Sequence, residues 1–461
     1  MTLTLVLLAL YLVTVFLVGV AQRRRASQDE AAYYVASRSL STFWGTIGLA
    51  SLTTGGSTTI VLAGLVYTHG VSGLWFDFAG AIGLAGLGLA LARRVRREAA
   101  VTLPEIVGRA YGPRARWTAA LLVLVSEIVW FALLTEATQV VLTAALGLAP
   151  TSALVISTVV FVLYTALGGQ FAVVRTDLVQ YGLMVLCIPG IACFWSLRAA
   201  GGLSGLPAGA WSFPVSATLG WGDIAGWLIL VGLPHLVGSD IYAKLLSCKD
   251  EATARRSALF AAGSKLAFGL AIAAIALAAR KALPPMPASA VLPGAVLGFL
   301  PPALAALVLV ALVATMQSSA DAVLLSAVAV TARDLAPASL GRALPISAGR
   351  WLTPLYGALG LGVAIGMDRN VLETLKLGYS IFAAGLILPV LAALLPRRPL
   401  VPATGAIAAM IAGGAVAAAA RFVPSLAFGY DPVLAGTAVN LAILALAAAA
   451  ARGARPALPG G

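Results

Sequence analysis

Long apolar runs separated by short polar links make up almost the whole chain. Thirteen runs can be distinguished, and roughly 20 apolar residues in a helix are enough to span the hydrocarbon core of a bilayer. The pattern therefore predicts an all-α polytopic membrane protein with about 13 transmembrane helices. The predicted helices cover residues 2–21, 43–68, 71–92, 117–147, 150–171, 176–198, 222–246, 256–279, 296–333, 350–367, 371–395, 400–420 and 432–451.

The second run has a polar centre. Residues 50–59 read ASLTTGGSTT, so two adjacent glycines lie among Ser and Thr residues. Glycine weakens a helix, and Ser and Thr side chains compete for its backbone hydrogen bonds. Unwound backbone is tolerated at membrane depth only where protein buries it or where it lines a cavity. The run therefore predicts a broken helix, although small residues that let helices pack closely would give a similar pattern.

The seventh run contains a comparable interruption. Residues 231–238 read VGLPHLVG, and proline removes a backbone donor and clashes with the preceding turn. Broken helices at corresponding positions of two halves are the best indication in a sequence of a transporter's binding site. The substrate candidates at the two breaks are Thr58, Gly232, Pro234 and His235.

The two breaks also predict an internal repeat. The first run stands apart, and the next ten form two sets of five that open with the broken helices 2 and 7. Because five is odd, the two sets enter the membrane in opposite directions. We expect one transmembrane transporter domain over 1–461, with an extra helix at 1–22, a first repeat at 43–198, a second repeat at 222–395 and C-terminal helices at 400–451.

The ninth run carries candidate ion ligands. Ser318 and Asp321 are three residues apart and share a helix face, and Ser319 is offset by one residue. A carboxylate inside a spanning helix is costly and usually faces the bundle interior or a cavity. Hydroxyl, carbonyl and carboxylate oxygens suit an alkali cation better than zinc or copper. The run predicts a cation site, with hydrogen bonding between helices as the alternative.

Three further carboxylates lie in apolar runs. Asp177 falls at the predicted start of the sixth run, where the helix dipole favours an acidic residue whatever its function. Glu127 and Glu136 lie nine residues apart in the fourth run and therefore on opposite faces of a helix. We expect one of them to face the transport route, which makes Glu127 a substrate candidate, and the other to pair elsewhere, for instance with Lys265.

Composition agrees with a membrane protein, and charge sets its orientation. The chain is 61% hydrophobic and 10% charged, against about 25% charged residues in a soluble domain. Its net charge is +13, but 23 of the 30 basic residues fall in loops on one side and five on the other. Basic loops face the cytoplasm, so the charge reflects topology rather than nucleic-acid binding. We expect a plasma-membrane protein with its N-terminus outside and its C-terminus in the cytoplasm.

No motif for another class of chemistry is present. The sequence has no Walker-type phosphate loop, nucleophile elbow or dinucleotide-binding glycine pattern. Its three cysteines and two histidines have no metal-site spacing. We expect a protein that is not an enzyme, has no cofactor, and acts in the lipid bilayer without nucleic acid or an obligate protein partner.

Four stretches in register resemble the sodium/solute symporter family, which includes carriers of sugars, proline, pantothenate and sialic acid. The resemblance implies a leucine-transporter-like fold with a 5+5 inverted repeat and thirteen helices. Together the stretches extend over most of the chain. They comprise residues 33–40, residues 163–180, residues 232–236 with 252–256, and residues 318–321 with 331–334.

The resemblance also implies a set of sodium ligands. Asp177 resembles the family's aspartate on the cytoplasmic sodium route, and with Asp321 it could form a second sodium site. Many relatives have a hydroxyl residue where this chain has Ala322, which counts against that second site. The implied ligands of the first site are the hydroxyls of Ser318 and Ser319 and the backbone carbonyls of Thr54, Ser57 and Thr315.

Together these observations predict a secondary active transporter. The expected function is sodium-coupled symport of a small polar organic solute into the cell by alternating access, with sodium as the co-transported ion. A first alternative is coupling to protons through Asp321 or Glu127. A second alternative is a membrane sensor in which the same fold only binds a ligand.

Overall fold

The computed structural model describes residues 2–26, 28–166, 169–368, 370–395, 401–427 and 429–453. In this part of the chain nearly all residues are helical. The helices of the first half are α1 Thr2–Ala26, α2 Glu30–Val35, α3 Thr42–Thr54, α4 Ser57–His69, α5 Trp75–Gly86, α6 Ala92–Glu98, α7 Leu103–Tyr111, α8 Pro113–Leu146, α9 Pro150–Thr165, α10 Gly169–Val185 and α11 Cys193–Ala199.

The second half continues the all-helical pattern. Its helices are α12 Trp221–Trp227, α13 Leu233–Leu236, α14 Ser239–Leu246, α15 Glu251–Ala282, α16 Val291–Phe299, α17 Pro302–Val330, α18 Ala336–Leu340, α19 Gly349–Gly366, α20 Val371–Phe382, α21 Leu388–Leu394, α22 Ala403–Phe422 and α23 Pro432–Gly453.

Several of these helices join end to end through a wider π-helical turn, so that two helices form one rod. Short 3₁₀ turns occur in the links. The π segments are Leu87–Leu91, Leu186–Ala192, Leu228–Gly232, Thr331–Leu335 and Ala383–Ile387, and the 3₁₀ segments are Ala36–Arg38, Gly70–Leu74, Ala208–Trp211, Ala288–Ala290, Ile346–Ala348 and Pro424–Ala427.

The prediction of an all-α polytopic membrane protein is confirmed. In the described residues, ten helical stretches are long and apolar enough to cross a membrane. Thirteen spans remain a prediction, because some rods, such as Pro150–Thr165, are shorter than that criterion requires.

Burial identifies the centre of the bundle. In the most apolar 18-residue stretch of the rod that contains α17, 83% of the stretch is buried, whereas 22% of the corresponding stretch of α1 is buried. Helix α17 packs against α8, α10 and α3, so its polar residues face protein rather than lipid. Helix α1 lies at the periphery and contacts α10 and α17. Through Tyr11 it also enters a buried hydrogen-bond network, accepting from Gln180 Nε2 at 3.1 Å and donating to Gln317 Oε1 at 2.8 Å.

The first predicted break is confirmed. Helices α3 and α4 are separated at Gly55 and Gly56, and Gly56 has φ 63° and ψ −156°. Only glycine adopts this region at little cost, because it has no Cβ atom. The second predicted interruption begins as the π segment Leu228–Gly232 and ends in a break at Val237 and Gly238, before α14.

One predicted boundary is wrong. The sixth run was expected to begin near residue 176, but α10 begins at Gly169, which has a φ of 60°. Asp177 therefore lies in the middle of α10 and not in its first turn. The interpretation of Asp177 as a helix cap does not hold.

Candidate functional site

Backbone carbonyls at the first break meet two hydroxyl side chains of α17. Ser318 Oγ donates to the Thr315 carbonyl at 3.1 Å and lies 3.4 Å from the Ser51 carbonyl. Ser319 Oγ donates to the Leu52 carbonyl at 3.2 Å and lies 3.4 Å from the Thr315 carbonyl. Both serines are buried. The five oxygens form a compact set of hard ligands, which we call the sodium pocket after the ion that the sequence predicts there.

The glycines of the break allow this close approach. Gly56 donates its N–H to the Thr315 carbonyl at 2.9 Å. A Cβ atom on Gly56 would lie 2.8 Å from Ser319 Oγ, and one on Gly55 would lie 3.0 Å from the Thr315 carbonyl oxygen. Side chains at these two positions would therefore push the broken helix away from α17.

The structure places the predicted sodium ligands in two groups. Ser318, Ser319 and Thr315 come together as expected, but the α3 carbonyls that accept the serine hydroxyls belong to Ser51 and Leu52. Thr54 is buried at the end of α3, where its hydroxyl donates to the Ala50 carbonyl at 2.5 Å. The carbonyls of Thr54 and Ser57 stay a prediction as ligands. The side chains of Ser57 and Thr58 lie outside the described part of the structure.

Asp177 forms a buried ion pair with a lysine of the second broken helix. Lys244 Nζ in α14 lies 2.5 Å from Asp177 Oδ2, and the two side chains are 1% and 0% exposed. Lys244 falls near the end of the predicted seventh run, residues 222–246, and the structure buries it inside the bundle. The pair brings the inner half of the second broken helix to α10.

Asp321 has no cation at hydrogen-bond distance in the described residues. Its Oδ1 accepts a hydrogen bond of 2.6 Å from the Thr165 hydroxyl, and its Oδ2 is buried without a partner there. Asp321 and Ser318 are both fully buried on α17. Asp321 also interacts electrostatically with Asp177 and Lys244. The two predicted second-site carboxylates thus belong to one group of interacting buried charges, in which Lys244 contacts Asp177.

Lys265 has a different partner from the one the sequence suggested. Its Nζ lies 2.7 Å from Asp77 Oδ1 and donates to the Thr53 carbonyl at 2.7 Å, so it pairs with neither Glu127 nor Glu136. The Thr53 carbonyl is near the C-terminal end of α3, where the helix dipole is negative and a cation is favourable. Lys265 therefore stabilises the end of the first broken helix.

A cavity of about 50 Å³ lies directly beside the sodium pocket. Aromatic rings form one wall: Trp130 and Tyr379 have ring centroids 4.9 Å apart. The buried carboxylate of Asp240, from the start of α14, also lines it. The lining residues are Leu52, Gly55, Gly56, Trp130, Leu133, Leu134, Asp240, Ser319, Val323 and Tyr379.

The two glutamates of α8 have different surroundings. Both oxygens of Glu127 are buried without a hydrogen-bond partner in the described residues, and Glu127 interacts electrostatically with Asp240. Glu136 accepts a hydrogen bond of 2.9 Å from the Thr374 hydroxyl. Glu127 is therefore the glutamate that interacts with a residue of the cavity wall, although it does not line the cavity itself.

The other substrate candidates pack against α5. A Cβ atom on Gly232 would lie 3.0 Å from the Ala79 carbonyl oxygen. His235 is buried, and its Nδ1 lies 2.8 Å from the Val231 carbonyl oxygen. Pro234 is buried between them. The structure does not bring these three residues to the cavity, whose lining comes from other positions.

Sequence reasoning missed Asp240, Lys244, Trp130 and Tyr379. Asp240 and Lys244 follow the second break by two and six residues, so a search for charged residues just beyond a break would have found them. The two aromatic residues gave no such signal, because Trp and Tyr are frequent in membrane helices for other reasons.

Comparison with known proteins agrees with this arrangement. A family model described as the sodium:solute symporter family matches residues 33–413. A Drosophila melanogaster protein named high-affinity choline transporter 1 is 26% identical over 71% of this chain and 56% of its own length. A Caenorhabditis elegans protein of the same name is 29% identical over 34% of this chain and 28% of its own length. The chain thus spans a little over half the length of the first relative and about a quarter of the second.

Solved structures show the same fold. A Na⁺-coupled sialic acid symporter in an outward-open state aligns with a TM-score of 0.79 and 18% identity, covering 97% of this chain and 98% of that one. Mhp1, a nucleobase-cation-symport-1 family transporter, gives 0.57 at 16% identity, covering 92% and 95%. MhsT in complex with L-phenylalanine gives 0.54 at 14% identity, covering 88% and 98%.

The relatives are named as transporters, and the family model that matches is one of sodium:solute symporters. The matched residues include both broken helices and the serines of α17. The chain belongs to the sodium:solute symporter family.

Proposed function

We propose that this protein moves a small organic cation across the membrane together with sodium. The observation that carries the choice of solute is the cavity at the first break, which combines aromatic faces with a carboxylate. Aromatic rings attract cations through their quadrupole, and quaternary ammonium groups are commonly bound in this way.

The buried charges support a cationic solute. Around the break, four buried carboxylates accompany the ammonium group of Lys244, which pairs with one of them, Asp177. The other lysine at the break, Lys265, is already paired with Asp77. Buried charges are costly unless they are paired. A sodium ion at the serines and a cationic solute beside the aromatic wall would offset two of the three negative charges that Lys244 leaves unpaired. The four carboxylates are Glu127, Asp177, Asp240 and Asp321.

Two named relatives agree with this chemistry. Both are called high-affinity choline transporters, and choline carries a quaternary ammonium group. We infer that the solute of this chain has an ammonium head group of similar size. The buried Nε1 of Trp130 has no hydrogen-bond partner in the described residues, so a hydroxyl or carbonyl on the solute could accept a hydrogen bond from it.

Uptake of labelled choline into proteoliposomes tests the proposal. We expect uptake that requires an inward sodium gradient and falls at least tenfold in Asp240→Asn and in Trp130→Ala. Trp351→Ala is the matched control, because that ring is 80% exposed. If a thermal-shift screen of amines, amino acids, monocarboxylates, sugars and vitamins finds only neutral or anionic ligands, the solute class is wrong.

The same measurement separates the alternatives. Coupling to protons would follow from the unpartnered Oδ2 of Asp321 and would give uptake driven by a pH gradient without sodium. A sensor would bind solute without moving it. We also propose a plasma-membrane location with the N-terminus outside and the C-terminus in the cytoplasm, in line with the distribution of basic residues.

A further inference from the structure

The buried ion pair between Lys244 and Asp177 lies on elements that meet at the sodium pocket. Asp177 is in α10, Lys244 is in the helix after the second break, and both contact the first broken helix at Gly48. A Cβ atom on Gly48 would lie 3.3 Å from Lys244 Cδ and 3.5 Å from Asp177 Oδ2. Gly48 precedes Ser51 by one helical turn, so the ammonium group lies one turn from the sodium ligands.

The carboxylates near the Lys244 ammonium group have free oxygens of the kind that bind a cation. Asp177 Oδ1 and Asp321 Oδ2 are both buried without a hydrogen-bond partner in the described residues. Both residues interact electrostatically with Lys244. Two carboxylates with free oxygens, together with the Thr165 hydroxyl, would be a set of hard ligands for sodium if no protein cation were present.

We propose that the Lys244 ammonium group takes the place of a second sodium ion beside Asp177, so that the protein binds one sodium ion. The inference rests on the proposed sodium coupling and adds its stoichiometry. Two monovalent cations at this position would repel each other in a region of low dielectric constant. A bound ammonium group therefore excludes a mobile ion.

Stability alone does not account for the pair. Burying an ion pair removes both charges from water, and replacing such a pair by apolar residues is often neutral or stabilising. Lys265 illustrates the structural alternative, because it neutralises Asp77 and also binds the Thr53 carbonyl at a helix end. Lys244 lies instead beside a second carboxylate, Asp321, that has no cation at hydrogen-bond distance in the described residues.

Equilibrium binding of sodium-22 to the purified full chain tests the inference. We expect one bound ion in the wild type and a doubling in Lys244→Met, which frees both carboxylates. The double variant Lys244→Met/Asp177→Asn should return to one ion, because it removes the charge of Asp177 together with that of its partner. Lys265→Met is the control for loss of a buried lysine and should gain no ion.

The outcomes separate this inference from the proposed function. Two bound sodium ions in the wild type would overturn the inference and leave sodium coupling intact. A folded Lys244→Met protein that binds as many sodium ions as the wild type would do the same. No bound sodium in the wild type or in Lys244→Met would overturn both. If Lys244→Met does not fold, Lys244→Gln, which keeps a polar group beside Asp177, is measured in its place: two bound ions would support the inference, and one would overturn it.

Discussion

Ser318 and Ser319 each direct one hydroxyl at backbone carbonyls, and each is buried. A serine hydroxyl contributes little to stability in this position but can coordinate a cation directly. We expect Ser318→Ala and Ser319→Ala to raise the sodium concentration for half-maximal uptake by about tenfold or more, since a hydrogen bond or ligand contact to a charged group contributes about 1.5–3 kcal/mol.

The control for the serine variants is Ser157→Ala. That serine is also buried, and its hydroxyl donates to the Ala153 carbonyl of its own helix at 2.7 Å. It should keep wild-type sodium dependence. Sodium activation curves that superimpose on the wild type in both Ser318→Ala and Ser319→Ala would remove these residues from the sodium pocket.

The two glutamates of α8 give a matched pair for testing solute binding. Glu127→Gln removes a charge near Asp240, so we expect the half-saturating concentration of an organic cation to rise several-fold. Glu136→Gln keeps an acceptor for the Thr374 hydroxyl, which is 2.9 Å away, and should change it little. Saturation of choline uptake in the two variants measures the difference. Equal effects would mean that neither glutamate is specific to the cavity.

The residue scale also shows where prediction from sequence stops. The serine pair and Asp321 could be predicted, because a carboxylate or a cluster of hydroxyls in an apolar helix usually faces the bundle interior or a cavity. The partner of Lys265 could not be predicted. The sequence indicated only that Glu127 and Glu136 lie on opposite faces of α8, whereas the actual partner, Asp77, lies on a different helix. The burial of Lys244, near the end of the predicted seventh run, could not be predicted either. Arg175 falls between two predicted runs, but it lies within α10, over the Trp44 ring.

At the scale of elements, the first break depends on two glycines with different constraints. Gly56 needs its positive φ, and a Cβ atom there would meet Ser319 Oγ. We expect Gly56→Ala to cost about 1–3 kcal/mol of backbone strain and to abolish uptake, as the strained break shifts from α17. Gly182→Ala is the control, because a Cβ atom there would meet nothing within 4 Å.

Thermal unfolding and uptake should be measured together for these glycine variants. A Gly56→Ala protein that is stable and transports at the wild-type rate would show that the break is unnecessary. The alternative interpretation, that the glycines only let helices pack closely, would then be favoured.

The existence of most elements could be predicted, and their ends could not. The adjacent glycines predicted the first break because unwound backbone needs such residues. The start of α10 was missed because the apolar pattern continues up to it, although Gly169 adopts a positive φ. The aromatic wall of the cavity depends on how α8 and α20 pack, which no single helix pattern contains.

At the scale of the whole molecule, basic loops that were assigned to one side of the membrane contact one another. Arg96 in α6 donates to the Cys248 carbonyl at 2.6 Å, and Arg94 donates to the Leu395 carbonyl at 2.8 Å. Arg116 pairs with Asp334 at 2.6 Å. These contacts join links that follow predicted runs 3, 7, 9 and 11, as the predicted topology requires.

This arrangement predicts which surface positions are accessible from outside the cell. Ala217 lies in the link before α12 and Ser339 lies in α18, and both are exposed. In a background without the native cysteines, Ala217→Cys should react with an impermeant maleimide in intact cells, because its link has few basic residues. Ser339→Cys should react only after permeabilisation, because its link carries Arg333, Arg342 and Arg350. If Ser339→Cys reacted in intact cells and Ala217→Cys only after permeabilisation, the topology would be inverted and the C-terminus would lie outside. The proposed inward direction of transport would then have to be reversed.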